Sequence, residues 1–339
     1  MRLVRYSDYG LDIQFVTGGP PCQPLSLGDK HKAHADSRDM FPEAVRAVRE
    51  LRPQGFIFEN VKGLLRKSFS SYFNYILLQL SHPEVMARGG MDWTEHLKLS
   101  EEYHASSCDK VLEYNVVFRL ANAADYCVSQ QRHRVVIVGF RRDLNARLSF
   151  PVPTNSKEAL EFAKYGDGSY WEEHRIAKKK RPDSPSHERR AVQMVDKTLL
   201  GGRWQTVRDA ISGLPDPRSE QASSFKNHEF RSGAKPYAGH SGSVLDEPSK
   251  TIKAGAHGVP GGENMLSLGD GSLRYYTVRE SARIQTFPDS YLFHGSWTES
   301  MRQIGNAVPV KLANIIEVSV ATQLVRMARQ DDKKRKTGY

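Results

Sequence analysis

Residues 13–26 read IQFVTGGPPCQPLS, in which a short apolar strand, Ile13 to Val16, runs straight into two glycines, two prolines and a cysteine. Proline offers no backbone N–H to a sheet or helix interior, so GGPPCQPLS, residues 18–26, reads as a loop at a strand end. Cys22 follows two prolines there, on stiff backbone that can present a thiol outward. The plainer alternative is a buried apolar cysteine. Working outward, Phe41, Ala44, Val45, Val48 and Leu51 recur at three and four residues, which predicts an amphipathic helix stopped by Pro53. GFIFENV, residues 55–61, predicts a strand ending in Glu59 and Asn60. Tyr72–Leu80 predicts a helix, Tyr114–Leu120 a strand, and VVIVGF, residues 135–140, a buried strand. Strands alternating with helices predict a parallel α/β sheet. Adjacent parallel strands bring their C-terminal ends to one edge, which would set Glu59 beside the Cys22 loop. Arg132 and Arg134 open the VVIVGF strand, and nearby guanidinium groups favour the thiolate form of a cysteine. A thiol, a carboxyl group and guanidinium groups at one sheet edge would make a nucleophilic site.

The chain has 339 residues, enough for about two domains. Lysine and arginine number 49 against 39 acidic residues, a net charge of +10, which favours a polyanion as partner. No apolar run approaches the ~18 residues of a membrane helix, and no signal peptide is visible, so a cytoplasmic address without membrane is expected. Three cysteines, Cys22, Cys108 and Cys127, are too few for a disulfide framework, and the twelve histidines show no ligand spacing; no metal is expected. Cys108 and Cys127 are expected to be structural. From about residue 150 the texture changes to Pro, Gly, Ser and charge, including RIAKKKRPDSPSHERR, residues 175–190, with seven basic and two acidic residues. That run is either a phosphate-contacting stretch or a solvated loop. Order returns with a helix expected over 278–285 and a long one over 310–327. The domains expected are 1–149, 150–273 and 274–329, with 330–339 a frayed charged tail.

These residues resemble the C5-cytosine DNA methyltransferase family. GGPPCQPLS resembles its nucleophile loop and FENV, residues 58–61, its glutamate motif. QQRHR, residues 130–134, fits Q-x-R-x-R, while RYYTVRESARIQTFPDSY, residues 274–291, and QIGNAVPVKLA, residues 303–313, match two late motifs in order and spacing. The resemblance implies an α/β fold: a Rossmann-like, S-adenosylmethionine-dependent methyltransferase sheet with an inserted, loop-rich target-recognition domain over 150–273. It implies transfer of a methyl group from S-adenosylmethionine to carbon 5 of a cytosine flipped out of double-stranded DNA, within a bacterial or phage restriction-modification system. By resemblance Cys22 adds to carbon 6, Glu59 binds the exocyclic amine and ring nitrogen 3, and Arg134 holds the carbonyl oxygen. Arg132 either joins this site or makes a backbone or phosphate contact. Gln23, Ser26 and Thr251, the last within EPSKTIKAGAHGVPGG, residues 247–262, match DNA-contacting positions. Pro21 and Asn306 match positions lining the methyl-donor pocket.

One departure bears on the mechanism. The family opens with an F-x-G-x-G loop and acidic residues for the donor, and these have no counterpart here; GAHGVPGG neither follows an apolar strand nor opens a helix. The sheet is therefore expected to be incomplete, through an upstream start, a separate polypeptide supplying the missing motifs, or decay of the gene. The chain expressed alone is expected to be poorly soluble or unable to methylate. Two other readings are a catalytically inactive DNA-binding remnant and a thiol hydrolase. The hydrolase would need His31, His34 or His133 as base, and none stands in a recognisable arrangement.

Overall fold

The structure, a computed structural model, describes residues 4–9, 12–21, 39–106, 112–146, 149–183, 192, 200–235, 241–254 and 264–337. Cys22, Gln23, Ser26, Cys108 and the basic run beyond Asp183 lie outside the described residues. The chain divides into two compact units, residues 1–121, 133–150 and 318–339 in one and residues 122–132 and 151–317 in the other.

In the first unit four strands, β1 (Phe15–Gly18), β2 (Gly55–Val61), β3 (Tyr114–Asn122) and β4 (His133–Arg141), form one sheet in the order β1-β2-β4-β3. β1 starts two residues later than the apolar pattern suggested, because Phe15 rather than Ile13 enters the ladder opposite Gly55. Helix α1 (Phe41–Leu51) follows the predicted periodicity, burying Phe41, Ala44, Val45 and Val48. It stops where Arg52 turns left-handed at φ 46°, just before Pro53. α2 (Ser70–Ser81) adds Tyr72, Phe73, Ile76 and Leu80 to the same core, against Phe56, Phe58, Val135 and Ile137. A third helix, α3 (Trp93–Ala105), was not foreseen, although Asp92 and Glu95 form its capping box: the Asp92 carboxylate accepts from Thr94 and Glu95 N–H, and the Glu95 carboxylate from Asp92 N–H.

The sheet corrects one expectation. β1 and β2 are parallel, but β4 runs antiparallel to β2, pairing Glu59 with Val136 and Val61 with Arg134. β4 is apolar and buried from Val135 to Phe140, and alternation of elements carries no signal for the direction of such a strand.

The second unit is built from short pieces. β5 (Asn155–Ser156) pairs with β6 (Gly202–Arg203), and β7 (Ser243–Val244), β8 (Met265–Ser267) and β9 (Leu273–Tyr275) form a three-stranded sheet. Helices α4 (Lys157–Glu161), α5 (Ser169–Glu173) and α6 (Val207–Ile211) are each five residues long. Among the described residues, charge pairs supplement two small apolar clusters. Lys164, nearly fully buried, meets Glu247 at 2.6 Å, and Arg208 meets Asp246 at 2.6 Å. Glu173, His174 and Asp209 come close enough to suggest a metal site, but Arg203 engages both carboxylates and its charge opposes a cation.

Residues 274–317, expected with the catalytic part, also pack within this unit. They contribute α7 (Val278–Ile284) and α8 (Trp297–Asn306), whose Val278, Ala282, Ile284, Met301 and Ile304 share a core with Ile252 and Leu266. α7 also begins with a capping box, Thr277 with Glu280, and Glu280 forms a buried pair with Arg274 at 2.6 Å. α9 (Val310–Thr337) continues through most of the segment expected to fray. By length and composition alone, Trp297–Arg326 is apolar enough to cross a membrane. Its backbone is two helices broken between Asn306 and Val310, and Met301, Ile304, Leu312, Ile316 and Val320 are buried in protein.

Candidate active site

The antiparallel course of β4 assembles the first unit's polar edge. Arg134 begins β4 and Glu59 nears the end of β2, so the two side chains rise from the same sheet face on diagonal positions. The Arg134 Nε–H donates to Glu59 Oε1, and both side chains are largely buried, at 11% and 22% exposure. A parallel β4 would have carried Arg134 to the opposite edge. Burial draws the Arg134 guanidinium below its ordinary pKa, and the Glu59 carboxylate works against that shift. Arg134 Nη1 also donates to the His133 carbonyl at 2.9 Å.

Asn60, the residue between, points to the other face and is buried. Its Nδ2 donates to the Pro20 carbonyl at 2.9 Å, stapling the GGPP stem to β2. Gly19 therefore passes against Glu59: a Cβ there would lie 3.4 Å from Glu59 Oε2. Cys22 is three residues further along the chain. The segment carrying it is closed at its base by Met40 N–H donating to the Pro21 carbonyl at 2.9 Å. Asp39 anchors that base from within the core, accepting from Phe41 N–H at 3.1 Å and from the Tyr72 hydroxyl. Burial and the nearby Asp39 charge push the Tyr75 hydroxyl up to about 12.

A second constellation lies within the second unit. Arg132, 1% exposed, donates to three main-chain carbonyls: Ile252 at 2.9 Å, Gly305 at 2.6 Å and Ala307 at 3.0 Å. Gln130 accepts from Ile252 N–H at 3.0 Å, and the Thr251 hydroxyl donates to the Gln131 carbonyl at 2.8 Å. Gln285 Nε2 reaches the Ile304 carbonyl at 2.8 Å and the Ala307 carbonyl at 3.3 Å. At Gly305 the backbone of Lys253 and Ala254 comes so close that a Cβ would sit 2.3 Å from Ala254 N. Gly305→Ala is accordingly expected to destabilise the protein by roughly 1–3 kcal/mol, read as a lower midpoint in urea with an unchanged slope.

Of the residues singled out in the sequence, Glu59 and Arg134 meet directly, and Pro21 lies two residues from Gly19. Arg132, Thr251 and Asn306 cluster in the second unit. Arg132 spends its donors on backbone, the more modest of its two expected roles; Asn306 and Pro21 are exposed. Cys22, Gln23 and Ser26 fall outside the described residues. Asn60, Asp39 and Gln285 were overlooked. Asn60 and Gln285 carried a signal: each is a polar residue at a position that strand alternation or helical periodicity turns inward.

The family model for C-5 cytosine-specific DNA methylase matches residues 1–83 and 105–321. Among curated proteins, the type II methyltransferase M.SacI of Streptomyces achromogenes is 29% identical over 92% of this chain and 73% of its own length. M.FnuDI of Fusobacterium nucleatum is 29% identical over 89% of this chain and 74% of its length. M.MthTI of Methanothermobacter thermautotrophicus is 27% identical, over 92% and 80%. Among solved structures, a DNMT2 mutant from Spodoptera frugiperda superposes with a TM-score of 0.51 over 94% of this chain and 83% of its own, at 14% identity. A prophage-encoded protein of E. coli, described as a DNA modification methyltransferase, gives 0.50 over 94% and 81%, at 20% identity. The structural likenesses bear on fold alone, and it is the match over most of the sequence that assigns this chain to the C-5 cytosine-specific DNA methylase family.

Proposed function

We propose that the chain acts as a DNA (cytosine-5-)-methyltransferase on double-stranded DNA, with Cys22, Glu59 and Arg134 as its catalytic residues. Carbon 5 of cytosine is a weak nucleophile while the ring stays aromatic. A thiolate from Cys22 bonds to carbon 6, and the displaced electron pair makes carbon 5 enamine-like. The negative charge that develops at ring nitrogen 3 is met by a proton from Glu59, and Arg134 donates to the carbonyl oxygen. Carbon 5 then takes up the methyl group, its proton passes to a base, the carbon 6–sulfur bond breaks to release the thiolate, and nitrogen 3 returns its proton to the Glu59 carboxylate as aromaticity is restored. S-adenosylmethionine, when bound, supplies the methyl group. Pro21 and Asn306 fit a contact with that donor, being exposed on backbone that neighbouring hydrogen bonds hold in place. Gln23, Ser26 and Thr251 contact DNA in this reading, and the exposed lysines 178–180 add phosphate contacts.

The observation that carries the proposal is the shared edge of the first unit. The stem of the Cys22 segment, the Glu59 carboxylate and the Arg134 guanidinium converge there because β1 is parallel and β4 antiparallel to β2. The likeness to type II methyltransferases supports a place in a restriction-modification system, in the cytoplasm with the DNA it modifies.

The test is to incubate the full chain with S-adenosylmethionine and duplex DNA and to digest the DNA to nucleosides. 5-Methylcytosine, absent when Cys22→Ala is used, supports transfer by this chain. Bound DNA that yields none, even when the carbon 5 proton exchanges, points to a second polypeptide completing the donor site. Bound DNA without exchange favours the inactive remnant.

A further inference from the structure

Gln285 caps α7 and is fully buried, yet it takes no part in the chemistry. Its Nε2 faces the Ile304 and Ala307 carbonyls, while its Oε1 has no hydrogen-bond partner among the described residues, nor has the buried Ser281 hydroxyl one turn earlier. A methionine would fill the same volume without the unmet Oε1 but would take away the donor to both carbonyls, so the donor, not the bulk, explains a glutamine here. The two carbonyls it holds stand on either side of Asn306, whose side chain is exposed at the end of α8. The same short stretch anchors the start of α9: the Gln285 carbonyl accepts from Val310 N–H at 3.1 Å, and the Thr286 hydroxyl from Lys311 N–H at 2.9 Å. Arg132 shares the Ala307 carbonyl from another segment and continues to Ile252, beside Thr251.

We propose that Gln285 is a positioning residue for the methyl donor, fixing the turn that presents Asn306 to it. The inference rests on the reading of Asn306 as a donor contact. Because the end of a helix frays readily, an exposed side chain there is pre-oriented only if its flanking carbonyls are fixed.

The experiment measures affinity of the full chain for S-adenosylhomocysteine, the demethylated donor, by calorimetry, and for duplex DNA by mobility shift. Gln285→Met is expected to weaken S-adenosylhomocysteine about tenfold, the scale of one lost hydrogen bond, with DNA affinity unchanged. Gln285→His, which keeps a ring N–H at a similar reach, is expected to restore binding to within about threefold. A residue that only supports the core would lower DNA binding in parallel. If Asn306→Ala weakens the ligand but Gln285→Met stays within about twofold of wild type, the inference alone is overturned. If Asn306→Ala has no effect, or wild type takes up no ligand, the reading of Asn306 falls and the inference with it. Should Gln285→Met not fold, amide exchange in wild type decides: S-adenosylhomocysteine is expected to slow exchange at Ala307 and Val310, and unchanged exchange there contradicts the proposal.

Discussion

Glu59→Gln is expected to slow release of tritium from 5-tritiated cytosine in duplex DNA by about 10²–10⁴-fold, while DNA binding persists. On the proposed mechanism release needs no methyl donor: addition of Cys22 to carbon 6 would make carbon 5 enamine-like, its proton would exchange with water, and the thiolate would leave. The slow step is addition, because charge must accumulate on ring nitrogen 3. Glutamine can still hydrogen-bond the base but has no acidic proton to deliver. Arg134→Met should produce a loss of the same order, since it removes the proposed donor to the carbonyl oxygen and also the hydrogen-bond partner of Glu59 on the sheet face. The proposal has the two side chains act as one unit, so the double variant is expected to lose little more than either single one. Additive losses would mean that the pair seen across β2 and β4 does not work as a pair.

Arg132→Met should carry the largest cost in stability. The guanidinium is almost fully enclosed and donates to the carbonyls of Ile252, Gly305 and Ala307. Methionine fills part of the space but leaves those acceptors buried without this donor, at about 1–3 kcal/mol each. Gln285 still reaches Ala307, so the expected loss is about 3 kcal/mol or more, read from urea unfolding followed by a probe in the second unit. Thr251→Val removes one hydrogen bond at the same junction and should cost only about 1 kcal/mol. A loss below about 1 kcal/mol for Arg132→Met would show that the junction relaxes and that the arginine is not its keystone.

The apolar periodicities of 41–51, 55–61, 72–80 and 135–140 were legible because each element buries a face whose spacing the sequence must keep. The direction of β4 was not legible, since a strand covered on both faces reads the same in either sense. That one unknown decides whether Arg134 can meet Glu59. Arg132 and Arg134 looked equivalent two residues apart, and they part company because Arg134 rises from β4 in the first unit while Arg132, in the segment before it, turns to backbone carbonyls in the second. Asn60 stood next to a recognised residue, yet its hydrogen bond to Pro20 is a contact over forty positions that no local pattern encodes. α3 escaped because its apolar face is narrow, with His96 and Ser100 as its buried positions, although the Asp92–Glu95 box marked its start.

If the edge formed by the GGPPC stem, Glu59 and Arg134 activates cytosine for attack by Cys22, tritium release from 5-tritiated cytosine in duplex DNA, without methyl donor, reads that activation, with wild type compared against Cys22→Ala at matched DNA occupancy. Steady release by wild type and none above background by Cys22→Ala is the expected result. Equal release by both proteins, or none by a wild type that binds the DNA, would contradict it.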